Sequence, residues 1–165
     1  MKGSSTEKCF IDSSVFLLDI FDDPDYGEYC ARLLSKVERG EMSGITSVMV
    51  LDEVLFKMLI VEASDKFGIP VKEAGRFLRE NPDKFKLLRQ SWINIEKIFT
   101  IPNLELIGVC PEDFRESVNL AKEFSLLPHD ALHLAVMKKE GVKKIATSDP
   151  DFRRVDWITV VMPQK

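Results

Sequence analysis

Cysteine and histidine are scarce in this 165-residue chain, which limits the chemistry open to it. The three cysteines, Cys9, Cys30 and Cys110, are odd in number and far apart. We therefore expect neither a disulfide framework nor a structural zinc site. We expect buried or neutral thiols instead. The only two histidines, His129 and His133, share a helix face at i and i+4. Zinc proteases and HD-type phosphohydrolases need further ligands that the chain lacks, so we expect His133 to be packed or hydrogen-bonded.

Long apolar runs and the common nucleotide-binding loops are also absent. No run approaches the roughly 20 apolar residues that span a bilayer, and the N-terminal MKGSSTEK lacks the apolar segment of a signal peptide. We therefore expect a cytoplasmic protein. The patterns GxxxxGK(S/T), GxGxxG and GxSxG do not occur. The net charge of −4 does not indicate a protein that coats nucleic acid, but it allows an enzyme whose acidic site holds cations.

The order of apolar segments predicts one α/β domain over residues 1–165. Hydrophobic residues make up 45% of the chain and charged residues 30%, as in ordinary globular proteins. Helices alternate with five predicted strands, at Lys8–Ile11, Met42–Thr46, Leu104–Val109, Ile145–Thr147 and Ile158–Met162, the last closed by Pro163. The principal predicted helices run from the turn at Asp22–Asp25 to Gly40, from Val48 to about Ala63, and over Val71–Glu80, Pro82–Phe99, Pro111–Ser125 and Pro128–Lys139. This order predicts a three-layer α/β/α sandwich around a mostly parallel five-stranded sheet, with a helical insertion at about residues 60–103.

The segment from Leu127 to Phe152 brings two distant carboxylates to one end of the fold. Its predicted helix of about twelve residues spans roughly 18 Å, and the following strand of about five residues spans roughly 16 Å. Because the chain reverses at Gly141, Asp130 in the first helical turn and Asp149 after the strand return to the same edge. Ligands of open parallel sheets bind beyond the carboxyl ends of the strands. Asp12 follows the first strand at that edge, and Glu53 lies about two turns into the helix after the second.

Four carboxylates at one edge would repel one another, and a divalent cation would relieve that repulsion. Mg²⁺ and Mn²⁺ favour oxygen ligands and suit metal-assisted hydrolysis of a phosphodiester. Each acid also has an ordinary structural interpretation. Asp12 and Asp149 are good helix N-caps, Asp130 gains from the helix dipole, and Glu53 could lie on a solvated stripe. The residues alone leave both interpretations open.

Four segments of the chain resemble the PIN domain, the metal-dependent ribonuclease fold of VapC-type toxins. They are FIDSSVFL at 10–17, ITSVMVLDEV at 45–54, LLPHDALHLAVMKKEGV at 126–142 and IATSDPDFRRV at 145–155. The resemblance assigns the four family acids to Asp12, Glu53, Asp130 and Asp149. It makes Asp151 either a fifth acid or a turn cap. The remaining candidates are hydroxyl side chains that could bind phosphate or, as is more usual, cap the backbone: Ser13, Thr46, Ser47 and Ser148, where the family often has Asn. His129 could also help to bind phosphate.

The same resemblance implies an endoribonuclease that uses Mg²⁺ or Mn²⁺ and leaves a 5′-phosphate and a 3′-hydroxyl. It further implies a toxin that is blocked by a separate antitoxin and forms a homodimer. An RNA-processing nuclease and a non-catalytic RNA-binding or assembly subunit are the alternatives.

Two other groups of side chains could contact RNA. The first is a basic cluster that could steer RNA or simply be solvated: Lys138, Lys139, Lys143, Lys144, Arg153 and Arg154. The second is a set of aromatic residues that we interpret as core rather than as a base-stacking surface: Phe77, Phe85, Trp92 and Phe99.

Overall fold

Helices and strands alternate along the computed structural model, which describes residues 7–162 and so does not cover the predicted closing residue Pro163. The strands are β1 (Lys8–Ile11), β2 (Ser43–Ser47), β3 (Leu104–Ile107), β4 (Lys144–Ala146) and β5 (Thr159–Val160). The α-helices are α1 (Ser13–Ile20), α2 (Gly27–Glu38), α3 (Val48–Phe67), α4 (Val71–Glu80), α5 (Arg89–Phe99), α6 (Pro111–Phe124) and α7 (Pro128–Lys139), with 3₁₀ helices at Pro82–Leu87 and Pro150–Arg154. Within residues 7–162, none of these helices combines the length and apolar character that crossing a bilayer requires.

The five strands form one sheet in the order β3-β2-β1-β4-β5, and all pairings among residues 7–162 are parallel. The predicted five-stranded sheet is confirmed. The chain moves outward from β1 through β2 to β3, then crosses to the other side for β4 and β5. Right-handed crossovers place α1 to α5 on one face and α6 and α7 on the other. Accordingly α1 packs on α2 and α3, and α6 packs on α7, which gives three layers.

The centre of the sheet is buried on both faces, as parallel sheets usually are. Cys9, Phe10 and Ile11 of β1 are fully buried, and α7 is buried without interruption from Ala131 to Met137. At Gly44 of β2 a Cβ atom would lie only 2.8 Å from a methyl group of Val37, so glycine lets α2 approach the sheet. Burial raises the pKa of the Cys9 thiol to about 12, as expected for a neutral thiol.

The prediction of one continuous helix over Pro82–Phe99 is wrong. The structure has a 3₁₀ helix at Pro82–Leu87, a break at Leu88 and then α5. The Leu88 side chain is fully buried in a small second core with Ala63, Ala74 and Leu78, so tertiary packing sets the break. The new helix is capped from α3, because the Glu62 carboxylate accepts the N–H groups of Gln90 and Ser91 at 3.1 and 2.8 Å.

The predicted aromatic core residues divide into two pairs. Phe77 and Phe85 are partly buried against the second core. Trp92 is 38% exposed and Phe99 is 57% exposed, so their assignment to the core is wrong. The reason is the break at Leu88, which starts α5 in a new orientation. That helix buries Ser91, Ile95 and Ile98 instead.

Candidate active site

The predicted acids lie where the strand order reverses, at the carboxyl ends of β1 and β4. The Asp12 N–H donates to the carbonyl oxygen of Ala146 at 3.1 Å, so the chain leaving β1 and the chain leaving β4 are joined at this edge. Asp149 follows three residues later. This reversal is the point at which open parallel sheets bind ligands.

The two carboxylate oxygens of Asp12 have different environments. Oδ2 accepts the hydroxyl groups of Ser14 and Thr147, both at 2.8 Å, and it accepts the N–H of Ser14 as the N-cap of α1. Oδ1 lies 4.0 Å from Nε2 of His133. The side chain is buried. Capping therefore occupies one oxygen and leaves the other facing the neighbouring acids.

Glu53 lies on α3 beside Asp12, a proximity that sequence spacing alone did not establish. The helix starts at Ser47, whose hydroxyl accepts the N–H of Val50 at 3.3 Å. Glu53 Oε2 lies 3.8 Å from His133 Nε2, and Oε1 accepts the ammonium of Lys57 at 2.6 Å. The imidazole of His133, with further help from Lys57, outweighs desolvation and lowers the pKa of Glu53 to about 2. Glu53 is therefore ionised at neutral pH.

The pKa of Asp130 is affected by the charges of the other three acids. It occupies the first turn of α7 and is partly buried. Burial raises the pKa of Asp130 to about 6, with repulsion from Asp149 as the second cause and repulsion from Asp12 and Glu53 as smaller ones. His133 opposes this rise. Asp130 therefore lies close enough to the other three acids for their charges to affect its pKa, and hydrogen bonds through Thr147 link Asp149 to Asp12.

His133 also lies in this cluster, although sequence reasoning treated it as an ordinary packed or hydrogen-bonded residue. It is packed, with 2% exposure, but neither ring nitrogen has a hydrogen-bond partner among residues 7–162. A ring nitrogen of His133 and one oxygen each from Asp12 and Glu53 could act as metal ligands, since these three atoms lie within 4.8 Å of one another. The position three residues after Asp130, on the same helix face, was the available sequence signal. A buried nitrogen that faces two carboxylates fits a bound cation.

Among the predicted hydroxyl residues, Thr46 and Ser47 use their hydroxyl groups in backbone contacts, whereas Ser13 and Ser148 do not within residues 7–162. Thr46 Oγ1 donates to the carbonyl oxygen of Ile11 at 2.9 Å, and Ser47 caps α3. Ser13 is buried beside Glu53 and contributes to the lowering of its pKa. Ser148 is exposed, and its N–H donates to Ser14 Oγ at 3.0 Å.

Two predicted phosphate or metal contacts lie at the edge of the cluster. His129 is exposed in the first turn of α7. Asp151 Oδ1 accepts Arg154 Nη2 at 2.8 Å, and the Asp151 N–H is capped by Asp149 Oδ1 at 2.8 Å. The turn-capping interpretation of Asp149 is therefore correct alongside its place among the four acids.

Most members of the predicted basic cluster are already paired with carboxylates. The pairs are Lys138 with Glu116, Lys139 with Asp113, Lys144 with Glu7, and Arg154 with Asp151. Pairing removes much of the positive field that these side chains would otherwise present to a phosphate backbone. The sequence alone could not show this, because every partner except Asp151 lies far away along the chain.

A family model described as PIN domain matches residues 9–158. The chain belongs to the PIN domain family. This PIN chain is 28% identical to Ribonuclease VapC6 of Methanocaldococcus jannaschii over 163 residues, which cover 95% of this chain and 98% of the relative. It is 24% identical to Ribonuclease VapC2 of the same organism over 155 residues, 93% of each chain. The predicted family is thereby confirmed.

Solved structures share the fold of this PIN chain. A toxin-antitoxin complex from Klebsiella pneumoniae has a chain that superposes with a TM-score of 0.56 at 16% sequence identity, covering 95% of this chain and 98% of that chain. The α/β architecture predicted from the sequence is therefore that of known PIN structures.

Proposed function

We propose that this PIN protein is a divalent-metal-dependent endoribonuclease, the toxin of a toxin–antitoxin pair. The convergence of Asp12, Glu53, Asp130 and Asp149 at the reversal of strand order carries the proposal. Burial, with repulsion from Asp149 as the second cause, raises the pKa of Asp130 to about 6, and repulsion among carboxylates favours a site that holds cations. Both curated relatives are named as ribonucleases, which agrees with the activity expected from the sequence.

The four acids would hold Mg²⁺ or Mn²⁺ directly or through water. When bound, the cation activates water and neutralises the charge that develops on the scissile phosphate. Asp12 and Glu53 are the restrained acids of the site, because Thr147 and Ser14 bind one oxygen of Asp12 and Lys57 binds one oxygen of Glu53. No side chain needs to form a covalent intermediate, and hydrolysis would leave a 5′-phosphate and a 3′-hydroxyl.

We propose RNA as the substrate and an antitoxin protein as the partner that blocks the acidic site. The toxin-antitoxin complex that shares this fold supports the partner. A groove of about 590 Å³ between α1, α2 and α5 is a candidate surface for it, lined in part by Phe16, Ile20 and Ile98, with Asp19 and Glu38 among the polar groups. Burial, then repulsion from Glu38, raises the pKa of Asp19, so a basic side chain from a partner would be stabilised there.

We also propose that the protein forms a homodimer in solution. Exposed apolar side chains on α5 support this, because Trp92 and Phe99 are exposed together with Ile93 at 47%. Light scattering coupled to size-exclusion chromatography gives the mass directly. A mass of twice 18.8 kDa is expected, and a mass of one chain at micromolar concentration would contradict the dimer.

RNA cleavage by the purified protein tests the function. A panel of single-stranded and hairpin RNAs is incubated with Mg²⁺, Mn²⁺ or EDTA, and cut ends are mapped. Cleavage should require a cation, and Asp130→Asn and Asp149→Asn should each lower the rate by at least about 100-fold, because each removes one charge from the cation site. Cleavage in EDTA, or full activity in both variants, would contradict the proposal.

The matched control is Asp52→Asn. Asp52 precedes Glu53 on α3 but is exposed, so the substitution changes the net charge equally at a neighbouring solvated position. Its rate should stay within about twofold of the unmodified protein. Co-expression with the product of an adjacent small gene would then separate a toxin, whose growth arrest is suppressed, from a processing nuclease.

A further inference from the structure

His133 is a buried polar side chain whose hydrogen-bonding capacity is unused. The side chain is 2% exposed, and both ring nitrogens lack a partner among residues 7–162. Buried polar groups in native proteins are normally satisfied by protein, water or an ion, because an unsatisfied one is destabilising. At the distances seen here, the position can therefore accept a group that bridges the ring to the neighbouring carboxylates.

The distances around Nε2 identify that group. Nε2 lies 3.8 Å from Glu53 Oε2 and 4.0 Å from Asp12 Oδ1, which is too far for direct hydrogen bonds. Two donors that bind one cation at about 2.0–2.2 Å each are separated by roughly 3–4.4 Å, depending on the angle between them. The three donor atoms all lie within 4.8 Å of one another, so they can surround a single ion.

Other contacts hold these donors in place. The second oxygen of Asp12 is fixed by Ser14 and Thr147, and the second oxygen of Glu53 is held by Lys57. The ring of His133 packs against Phe10 of β1, with centroids 5.7 Å apart. One oxygen of each carboxylate and one ring nitrogen consequently remain available on a rigid frame.

We propose that Nε2 of His133 is a nitrogen ligand of the cation site, together with Asp12 Oδ1 and Glu53 Oε2, and that it makes the site prefer Mn²⁺ over Mg²⁺. Mg²⁺ is bound almost entirely by oxygen, whereas imidazole suits transition-metal cations. The inference rests on the proposed function for the presence of a cation, and it adds the nature of the ligand and of the ion. The proton of the neutral imidazole then resides on Nδ1.

Pulsed electron paramagnetic resonance on Mn²⁺-loaded full-length protein tests the proposal. An imidazole nitrogen bound to Mn²⁺ produces a ¹⁴N modulation of the electron spin echo. His129 is the only other histidine and is exposed, so His129→Gln is the matched control. The modulation should be present in the unmodified protein and in His129→Gln, and it should be lost in His133→Leu and His133→Gln.

Titration calorimetry measures the preference on protein first stripped with a chelator. For His133→Leu we expect the Kd of Mn²⁺ to rise by at least about tenfold, the loss typical of removing a single supporting group from a metal site. The Kd of Mg²⁺ should change by less than about threefold. His133→Gln offers an oxygen at a similar reach, so it should retain Mg²⁺ binding and lose the preference. Thermal unfolding without metal shows whether each variant is folded.

An echo modulation that persists in both His133 variants, or an unchanged ratio of Mn²⁺ to Mg²⁺ affinity, would overturn the inference. A direct interaction of His133 with Glu53 alone would leave the ion with oxygen ligands only, and it would therefore give no ¹⁴N modulation in the unmodified protein and an unchanged affinity ratio in the variants. The two proposals fail separately. RNA cleavage without a ¹⁴N signal would support the nuclease function and contradict the nitrogen ligand. A ¹⁴N signal without RNA cleavage would support the nitrogen ligand and contradict the nuclease function.

Discussion

Thr147 Oγ1 donates a hydrogen bond of 2.8 Å to Oδ2 of Asp12. The same hydroxyl accepts the N–H of Asp149 at 3.0 Å. One side chain of 1% exposure therefore fixes the position of the first acid in the chain and orients the loop that carries the last. Sequence inspection selected the hydroxyls of Thr46 and Ser148 among its candidates and missed this one.

Replacing Thr147 with valine should weaken both stability and catalysis. The substitution keeps the shape and removes the hydroxyl, which leaves the Asp149 N–H without its acceptor and Asp12 with one donor fewer. We expect a loss of about 1–2 kcal/mol in the free energy of unfolding and at least about a tenfold fall in the rate of RNA cleavage. Thr147→Ser keeps the hydroxyl and should stay close to the unmodified protein. Equal losses in both variants, or no loss in Thr147→Val, would contradict the role assigned to the hydroxyl.

The raised pKa of Asp130 gives the metal-free protein an unusual dependence on pH. An unfolded Asp titrates near about 4, and burial with repulsion from Asp149 raises the pKa of Asp130 in the folded state to about 6. The folded state therefore binds more protons between these values, and this contribution to stability falls as the pH rises from about 4 to about 6. Carboxylates in ion pairs have the opposite effect.

Asp130→Asn removes that effect and should stabilise the metal-free protein. After allowance for solvent screening of a partly exposed group, we expect the free energy of unfolding to rise by about 1 kcal/mol at pH 7.5. This difference should vanish near pH 4. Urea unfolding in EDTA across this range measures it, with Asp52→Asn as the charge-matched control. A variant that is less stable than the unmodified protein at pH 7.5 would contradict the repulsion described above.

Adjacent lysines at the end of α7 allow a matched test of ion pairs. Lys139 donates at 2.6 Å to Asp113, whose side chain is 4% exposed, whereas Lys138 pairs with the more exposed Glu116. Lys139→Met leaves a buried carboxylate with contacts to Cys110 but without its counter-charge and should destabilise the protein by about 2 kcal/mol. Lys138→Met should stay within about 0.5 kcal/mol. Chemical denaturation of both variants at pH 7 gives the comparison.

The Lys139–Asp113 pair should also be sensitive to acid. Burial alone would raise the pKa of Asp113, but Lys139 and the Cys110 N–H hold that pKa below its usual value. The stabilisation is thus fully present above about pH 4 and is lost as the pH falls through the lowered pKa. The difference between the unmodified protein and Lys139→Met should shrink over that interval. A difference that does not vary with pH would exclude the ion pair as its source.

Glu62 should control the start of α5, since its carboxylate accepts the N–H groups of Gln90 and Ser91 and the Ser91 hydroxyl. Glu62→Ala leaves the first turn of α5 uncapped and should lower the free energy of unfolding by about 1–2 kcal/mol. Asp65→Ala, one turn further along α3 at an exposed position, is the control and should be nearly neutral. Hydrogen exchange of the amides in residues 89–93 localises the effect. Unchanged exchange rates in Glu62→Ala would contradict the capping role.

The sequence was most informative where burial and topology leave few alternatives. Strands β1 and β4 and helix α7 are buried nearly all round, so their apolar runs are unbroken, and parallel pairing then brings Asp12, Asp130 and Asp149 to one edge. It was least informative where distant segments decide the structure. Leu88 breaks a helix because α3 and α4 bury its side chain. His133 faces the acids because of how α7 is rotated against the sheet, and the spacing of histidines carries no information about that rotation.

The placement of β1 between β2 and β4 also determines when the acidic site can assemble during synthesis of the chain. Asp12 leaves the ribosome more than a hundred residues ahead of its partners Asp130 and Asp149. At ordinary rates of synthesis this delay is on the order of ten seconds. Until β4 has been made and has paired with β1, the first acid has neither Thr147 to orient it nor the last two carboxylates beside it. The nascent chain therefore cannot complete the acidic site before β4 and the loop that carries Asp149 have been made.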